Sequence, residues 1–104
     1  MELQTYTKLA HTAVNCRKHW KWVDGMVPIT ALLPLDKRLP DLTHPATIGC
    51  LLSVLRGLYG KSLFAEACGG KWRLCYHEGA ETLVVVQSGE TEAEVLVKAL
   101  ESAP

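Results

Sequence analysis

The sequence predicts an α+β fold: a three-stranded antiparallel sheet packed against a central and a C-terminal helix, plus an N-terminal helix and a short Trp-containing hairpin. Three observations support it. Apolar residues recur at helical spacing in three segments, strand-like alternation flanks a Gly-Gly turn, and β-branched residues dominate a third apolar run. At 104 residues with a hydrophobic fraction of 48%, the chain has the size of a single domain, residues 1–104.

The N-terminal segment predicts an amphipathic helix over residues 2–18. Its apolar face carries Leu3, Tyr6, Ala10, Ala13 and Val14. Arg17 and Lys18 close the helix, where cations meet the negative end of its dipole.

The next segment predicts a short hairpin, because Asp24-Gly25 lies between alternating apolar residues. In a two-residue hairpin Trp22 faces Val27 and Trp20 faces Ile29, so all four side chains share one side. Pro28 lacks the N–H that the ladder requires, so we expect the ribbon to be short or to lie at a sheet edge.

Residues 30–42 have no regular period and predict an irregular, mobile loop. The central helix follows, with Thr43 or His44 as its N-cap, Pro45 in its first turn and Gly60 as its stop. Its wide apolar stripe predicts the central buried helix and consists of Ile48, Leu51, Leu52, Leu55, Leu58 and Tyr59.

The sheet is predicted from a second hairpin around Gly69-Gly70. Pairing Cys68 with Lys71 places Glu66 beside Arg73, an opposite-charge pair. Residues 82–87 then form the third strand. Thr91 and Glu94 form a capping box that begins the last helix, whose stripe is Ala93, Leu96, Val97 and Leu100.

Residues 41–60, DLTHPATIGCLLSVLRGLYG, resemble a motif of small phage and prophage proteins, commonly written DLTDPATLGCLLALVREAWG. The Trp20-Lys21-Trp22 segment and the stretch from Thr91 are similar to the flanks of that motif. His44 stands where Asp is usual, and residues 57–59 read Gly-Leu-Tyr instead of Glu-Ala-Trp. The resemblance implies a phage origin and implies no catalytic residue.

Composition restricts the function classes. The net charge is zero, but residues 1–75 carry ten Lys and Arg against five Asp and Glu, whereas residues 76–104 carry one Lys against six Glu. This asymmetry can indicate an interaction surface. The alternative, which has equal weight, is that the two parts neutralise each other in the fold. No apolar run has the ~18 residues of a membrane-spanning helix, and the first residues lack the pattern of a signal peptide. We therefore expect a cytoplasmic protein of the bacterial host, with four free thiols.

Thiols and imidazoles offer two chemical hypotheses. Cys16 with His19, and Cys75 with His77, have spacings that zinc could use, although neither is a CxxC pair. Cys50 or Cys68 could serve as a nucleophile if a cation or a base lowered its pKa. The alternative for each is a buried or inert side chain, which we favour. We expect no cofactor, no metal and no cleft in which reactive residues converge.

The remaining hypotheses concern binding. Arg17, Lys18, Trp20, Lys21 and Trp22 interleave cations with aromatics, as in proteins that grip single-stranded nucleic acid. Tryptophans packed in the core are the alternative. The helix–three strands–helix order also matches double-stranded RNA-binding modules, but Glu90, Glu92 and Glu94 at the last helix would repel phosphate. We therefore predict a non-catalytic module that binds a host or phage protein, with single-stranded nucleic acid as the second hypothesis.

Overall fold

A computed structural model describes residues 3–30, 34 and 37–104 of the chain. Its elements are α1 (Leu3–Asn15), α2 (Pro45–Tyr59), β1 (Phe64–Cys68), β2 (Lys71–Glu78), β3 (Thr82–Gly89) and α3 (Glu92–Glu101). The strands form one antiparallel sheet in the order β1-β2-β3. The predicted α+β class is confirmed. No helix in the described part of the chain has the length and apolar character to cross a membrane.

The β1–β2 hairpin forms with the predicted register. Cys68 pairs with Lys71, and Glu66 pairs with Arg73. Gly69 and Gly70 connect the strands with φ angles of 59° and 80°, which suit glycine because it has no Cβ. Between β2 and β3 the register shifts: Leu74 pairs with Gln87 and Cys75 with Val85. Val86 is therefore an extra residue, a β-bulge in β3.

Both predicted helix starts are confirmed. The His44 side chain accepts a hydrogen bond from the Ala46 N–H at the start of α2, and Gly60 ends that helix with a φ of 64°. The Thr91 hydroxyl accepts from the Glu94 N–H at the start of α3. Capping satisfies N–H groups that have no partner within the helix.

The most buried helix is α3, a correction to the prediction that α2 is the central helix. Helix α3 contacts all three strands, and both α1 and α2 pack against it. Because the sheet and two helices surround α3, residues outside its predicted apolar stripe are buried as well. Its buried residues are Ala93, Val95, Leu96, Val97, Ala99 and Leu100, whereas those of α2 are Thr47, Leu51 and Leu55.

Residues 19–29 differ from the predicted tryptophan hairpin. A turn does form at Asp24-Gly25, where the Met26 N–H donates to the Val23 carbonyl at 3.2 Å. Residues 27–29, however, pair with residues 39–41. The Ile29 N–H donates to the Leu39 carbonyl at 2.8 Å, and the Asp41 N–H donates to the Val27 carbonyl at 2.7 Å. Pro28 and Pro40 face each other at the centre of this pairing. The residues on either side of each proline make the hydrogen bonds, so the missing proline N–H groups are not needed.

The N-terminal helix is shorter than predicted, since α1 ends at Asn15 instead of residue 18. Arg17 and Lys18 therefore lie beyond its last turn. The predicted loop at residues 30–42 is irregular where it is described. The prediction for residues 31–33, 35 and 36 lies outside the described residues.

Candidate functional site

The basic-aromatic segment (residues 17–22) begins with a tight turn after α1. The N–H groups of His19 and Trp20 both donate to the Cys16 carbonyl, at 2.9 and 2.8 Å. Arg17, Lys18 and Lys21 are exposed. The turn therefore displays the predicted cations on the surface.

The two indoles of this segment are only partly exposed. Trp20 is half-buried and packs against the core, and its Nε1 is buried with no hydrogen-bond partner among the described residues. Trp22 meets Trp20 edge to face, with ring centroids 5.5 Å apart and an interplanar angle of 82°. An indole that packs on another indole and on the core offers less open face for base stacking.

A small hollow of about 360 Å³ lies between this turn and the end of α3. Its lining includes Cys16, His19 and Glu101, together with Arg17 and Lys18. The expectation that no reactive residues converge was wrong at this place. Cys16 and His19 are the pair singled out in the sequence, but Glu101 comes from α3 and has no local signal that links it to them.

The chemistry of this hollow is limited by the state of its thiol. Burial, reinforced by the negative charge of Glu101, raises the pKa of Cys16. The thiol also donates a hydrogen bond to the Thr12 carbonyl at 3.2 Å. A thiol with a raised pKa is mostly protonated at neutral pH and is a weak nucleophile and metal ligand.

The described ranges contain no cluster of side chains that could bind a metal ion. No group of three or more His, Cys, Asp or Glu residues lies close enough there to hold a metal ion. The Cys75 and His77 pair lies in β2, where Cys75 is buried and His77 exposed. Burial raises the pKa of the Cys75 thiol, which donates to the Phe64 carbonyl at 3.8 Å.

A cavity of about 640 Å³ runs between residues 21–24 and the exposed side of α2. Cys50 lines it and is half-buried, with its thiol donating to the Asp24 carbonyl at 3.6 Å. Gly25 lies beside it with a φ of 104°, a conformation that favours glycine, and a Cβ there would lie 3.0 Å from the Cys50 sulfur. The rest of the lining mixes apolar, small and charged residues: Lys21, Val23, Ser53, Val54, Gly57 and Leu58.

One face of the sheet is turned away from the helices. Leu74 and its neighbours on one face pack into the core beneath α3. On the opposite face Phe64, Cys75 and Val85 form a row across the three strands. Phe64 stacks on the His77 ring, with centroids 5.5 Å apart, and Val85 is 47% exposed. This open face combines apolar side chains with the Glu66–Arg73 ion pair.

The outer edge of β3 has no strand beside it in the described part of the chain. An edge strand presents unpaired backbone N–H and C=O groups. Residues 82–89 include no charged residue and no proline. Sequence reasoning missed this edge, although the uncharged run from Thr82 was a signal for it.

Acidic residues flank both ends of β3. Glu78 and Glu81 are exposed at its beginning. At the other end, two ion pairs form. The Glu90 Oε1 lies 3.5 Å from the Lys71 Nζ, and the Glu94 Oε1 lies 3.7 Å from the Lys98 Nζ. The first turn of α3 carries Glu92 and Glu94, which makes the double-stranded RNA contact at this helix end unfavourable.

Comparison with family models, with curated proteins and with solved structures gave no match.

Proposed function

We propose that this chain is a small accessory protein that acts by binding another protein, without catalysis. The open face of the sheet and the uncovered edge of β3 are the observations that carry the proposal. Val85 is 47% exposed and Phe64 is half-buried on this face, beside the half-buried Glu66–Arg73 ion pair. A mixture of apolar and charged side chains is typical of protein interaction sites.

The state of two thiols argues against either of them acting as a nucleophile. Burial raises the pKa of both Cys16 and Cys75, so each thiol is held in its protonated form. A nucleophilic cysteine needs the opposite shift, from a nearby cation, a helix N-terminus or a base.

The setting of the proposal rests on the sequence. Residues 41–60 resemble the phage and prophage motif, so we propose a phage or prophage gene and a site of action in the cytoplasm of the bacterial host. The partner is then a protein of the host or of the phage.

Site-specific photocrosslinking tests the proposal. A photoreactive phenylalanine analogue replaces Val85 in growing bacterial cells, and the same analogue at exposed Lys8 on α1 serves as the matched control. We expect irradiation to produce a discrete protein adduct at position 85 and none at position 8. The proposal fails if neither position 85 nor the open-face position 64 yields a protein adduct.

The second candidate function is binding of single-stranded nucleic acid, which the exposed cations Arg17, Lys18 and Lys21 favour. It predicts that a labelled short DNA strand shifts in a gel in a salt-sensitive manner. The shift would be lost in Lys21→Glu and kept in Lys8→Glu, which changes an exposed cation outside the segment. That result would replace the protein-binding proposal.

A further inference from the structure

The two edges of the sheet are protected to different degrees. The β1 edge has five residues, carries Glu66 at its centre and follows a Leu63 carbonyl that accepts a 2.7 Å hydrogen bond from Arg56. The β3 edge has eight residues and no charge within them. Charged side chains and short length are the usual protections of an edge strand against a further strand.

We infer that residues 82–85 of β3 are the docking edge for an extended segment of the partner protein, which adds a fourth strand to the sheet. This inference rests on the proposed function and specifies its site. An extended backbone is the occupant that satisfies a row of unpaired N–H and C=O groups. Its alternate side chains would continue the row of Phe64, Cys75 and Val85 on the open face.

The β-bulge limits the docking edge to the first half of the strand. Val86 interrupts the ladder, and a bulge bends its strand and ends regular pairing. Beyond the bulge, the Ser88 carbonyl already accepts a hydrogen bond from the Lys98 ammonium at 2.7 Å. A regular strand therefore pairs best with residues 82–85.

Charge identifies the chemistry of the partner segment. Glu81 is exposed directly before β3, and the exposed Glu78 pairs with Thr82 from the β2 side. Glu90 and Glu94 at the far end already have lysine partners. The partner segment therefore carries Lys or Arg next to its apolar run. In an antiparallel arrangement these cations follow the run toward the segment's C-terminus. The β3 strand of a second copy brings no Lys or Arg to this place.

A synthetic peptide tests this chemistry directly. The probe is a fluorescein-labelled peptide of sequence SVTVTVKKG, whose binding to the full chain is followed by fluorescence anisotropy at low salt. Two matched peptides replace the lysines with glutamates or carry N-methyl groups at alternate valines. We expect both to bind at least tenfold more weakly, because one reverses the charge and the other removes backbone donors. Equal binding of the N-methylated peptide would overturn the inference.

Protein variants locate the docking edge. Two variants should each weaken binding of the SVTVTVKKG probe by about tenfold: Val85→Lys and the double variant Glu78→Lys/Glu81→Lys. Ala67→Lys places the same charge on the exposed part of β1 and should leave binding unchanged. Circular dichroism checks that each variant is folded. A loss in Ala67→Lys equal to that in Val85→Lys would contradict docking at β3.

Failure of this inference can be distinguished from failure of the proposed function. In one outcome, position 85 crosslinks a protein in cells, the adduct still forms in Glu78→Lys/Glu81→Lys, and the SVTVTVKKG probe does not bind. Docking at β3 is then overturned, while the proposal of protein binding stands. If no adduct forms at positions 85 and 64, both fail. A chain that elutes as a dimer, and as a monomer after Val85→Lys, would identify a second copy as the occupant and overturn the inference.

Discussion

The hydroxyl of Thr47 joins α2 to the backbone of Val27. It accepts the Val27 N–H at 2.8 Å and donates to the Val27 carbonyl at 3.3 Å. Thr47 is fully buried, so this double hydrogen bond fixes the segment after the Asp24-Gly25 turn against the helix.

Replacing this hydroxyl should destabilise the fold. Thr47→Val keeps the shape of the side chain but leaves the Val27 N–H without its partner, a loss of about 1–3 kcal/mol for a part-buried group. Urea unfolding followed by circular dichroism measures the change. Thr47→Ser keeps the hydroxyl and is the control. An equal loss in both variants would show that the hydrogen bond does not contribute.

A second part-buried hydrogen bond closes the end of α3. The Tyr59 hydroxyl donates to the Ala99 carbonyl at 2.7 Å, an acceptor in the last turn, where carbonyls lack helical partners. Tyr59→Phe should lower the free energy of unfolding by about 1–2 kcal/mol, and thermal and urea unfolding measure it. Tyr6→Phe is a matched control on α1. A Tyr59→Phe variant as stable as the parent would contradict this role.

The pH dependence of stability should reveal Glu92. Burial raises the pKa of this carboxyl, so the folded state holds its proton more tightly than the unfolded chain. The resulting stability is fully present below the unfolded pKa of about 4.3 and is lost as the pH rises through the folded pKa. Glu92→Gln should therefore be more stable than the parent at pH 7 and match it in acid.

Urea unfolding at several pH values tests this prediction. Glu81→Gln removes one negative charge from an exposed turn and controls for net charge. A Glu92→Gln variant whose advantage over the parent grows as the pH falls would have the wrong sign.

Alkylation should distinguish the thiols. Cys16 is half-buried and its pKa is raised, whereas Cys68 is exposed at the β1–β2 turn. With iodoacetamide at pH 8 we expect Cys16 to react about tenfold more slowly, and urea should abolish the difference. Mass spectrometry of peptides measures both rates. Equal labelling rates for Cys16 and Cys68 in the folded chain would contradict this prediction.

Local rules were sufficient for the sheet and the caps. The register of Cys68 with Lys71 follows from two adjacent glycines and from the Glu66–Arg73 pair, all close in the chain. The caps at His44 and Thr91 likewise depend on residues within one helical turn.

The other features depend on contacts between residues that are far apart in the chain. Residues 27–29 could pair with the tryptophan strand or with residues 39–41, and the choice depends on Thr47 and on the facing prolines, which a local pattern does not include. The exposure of Arg17 and Lys21 followed from their charge. The partial burial of Trp20, and the meeting of Cys16 with Glu101, required the position of α3.

The enclosed position of α3 has a consequence for biosynthesis. The helix that joins the sheet to both other helices is the last element in chain order. While residues 92–101 are still inside the ribosomal tunnel, the emerged helices and hairpins lack the surface that covers their apolar sides. Native packing then begins only when α3 emerges, and until that moment the nascent polypeptide exposes apolar surface of the kind that chaperones bind.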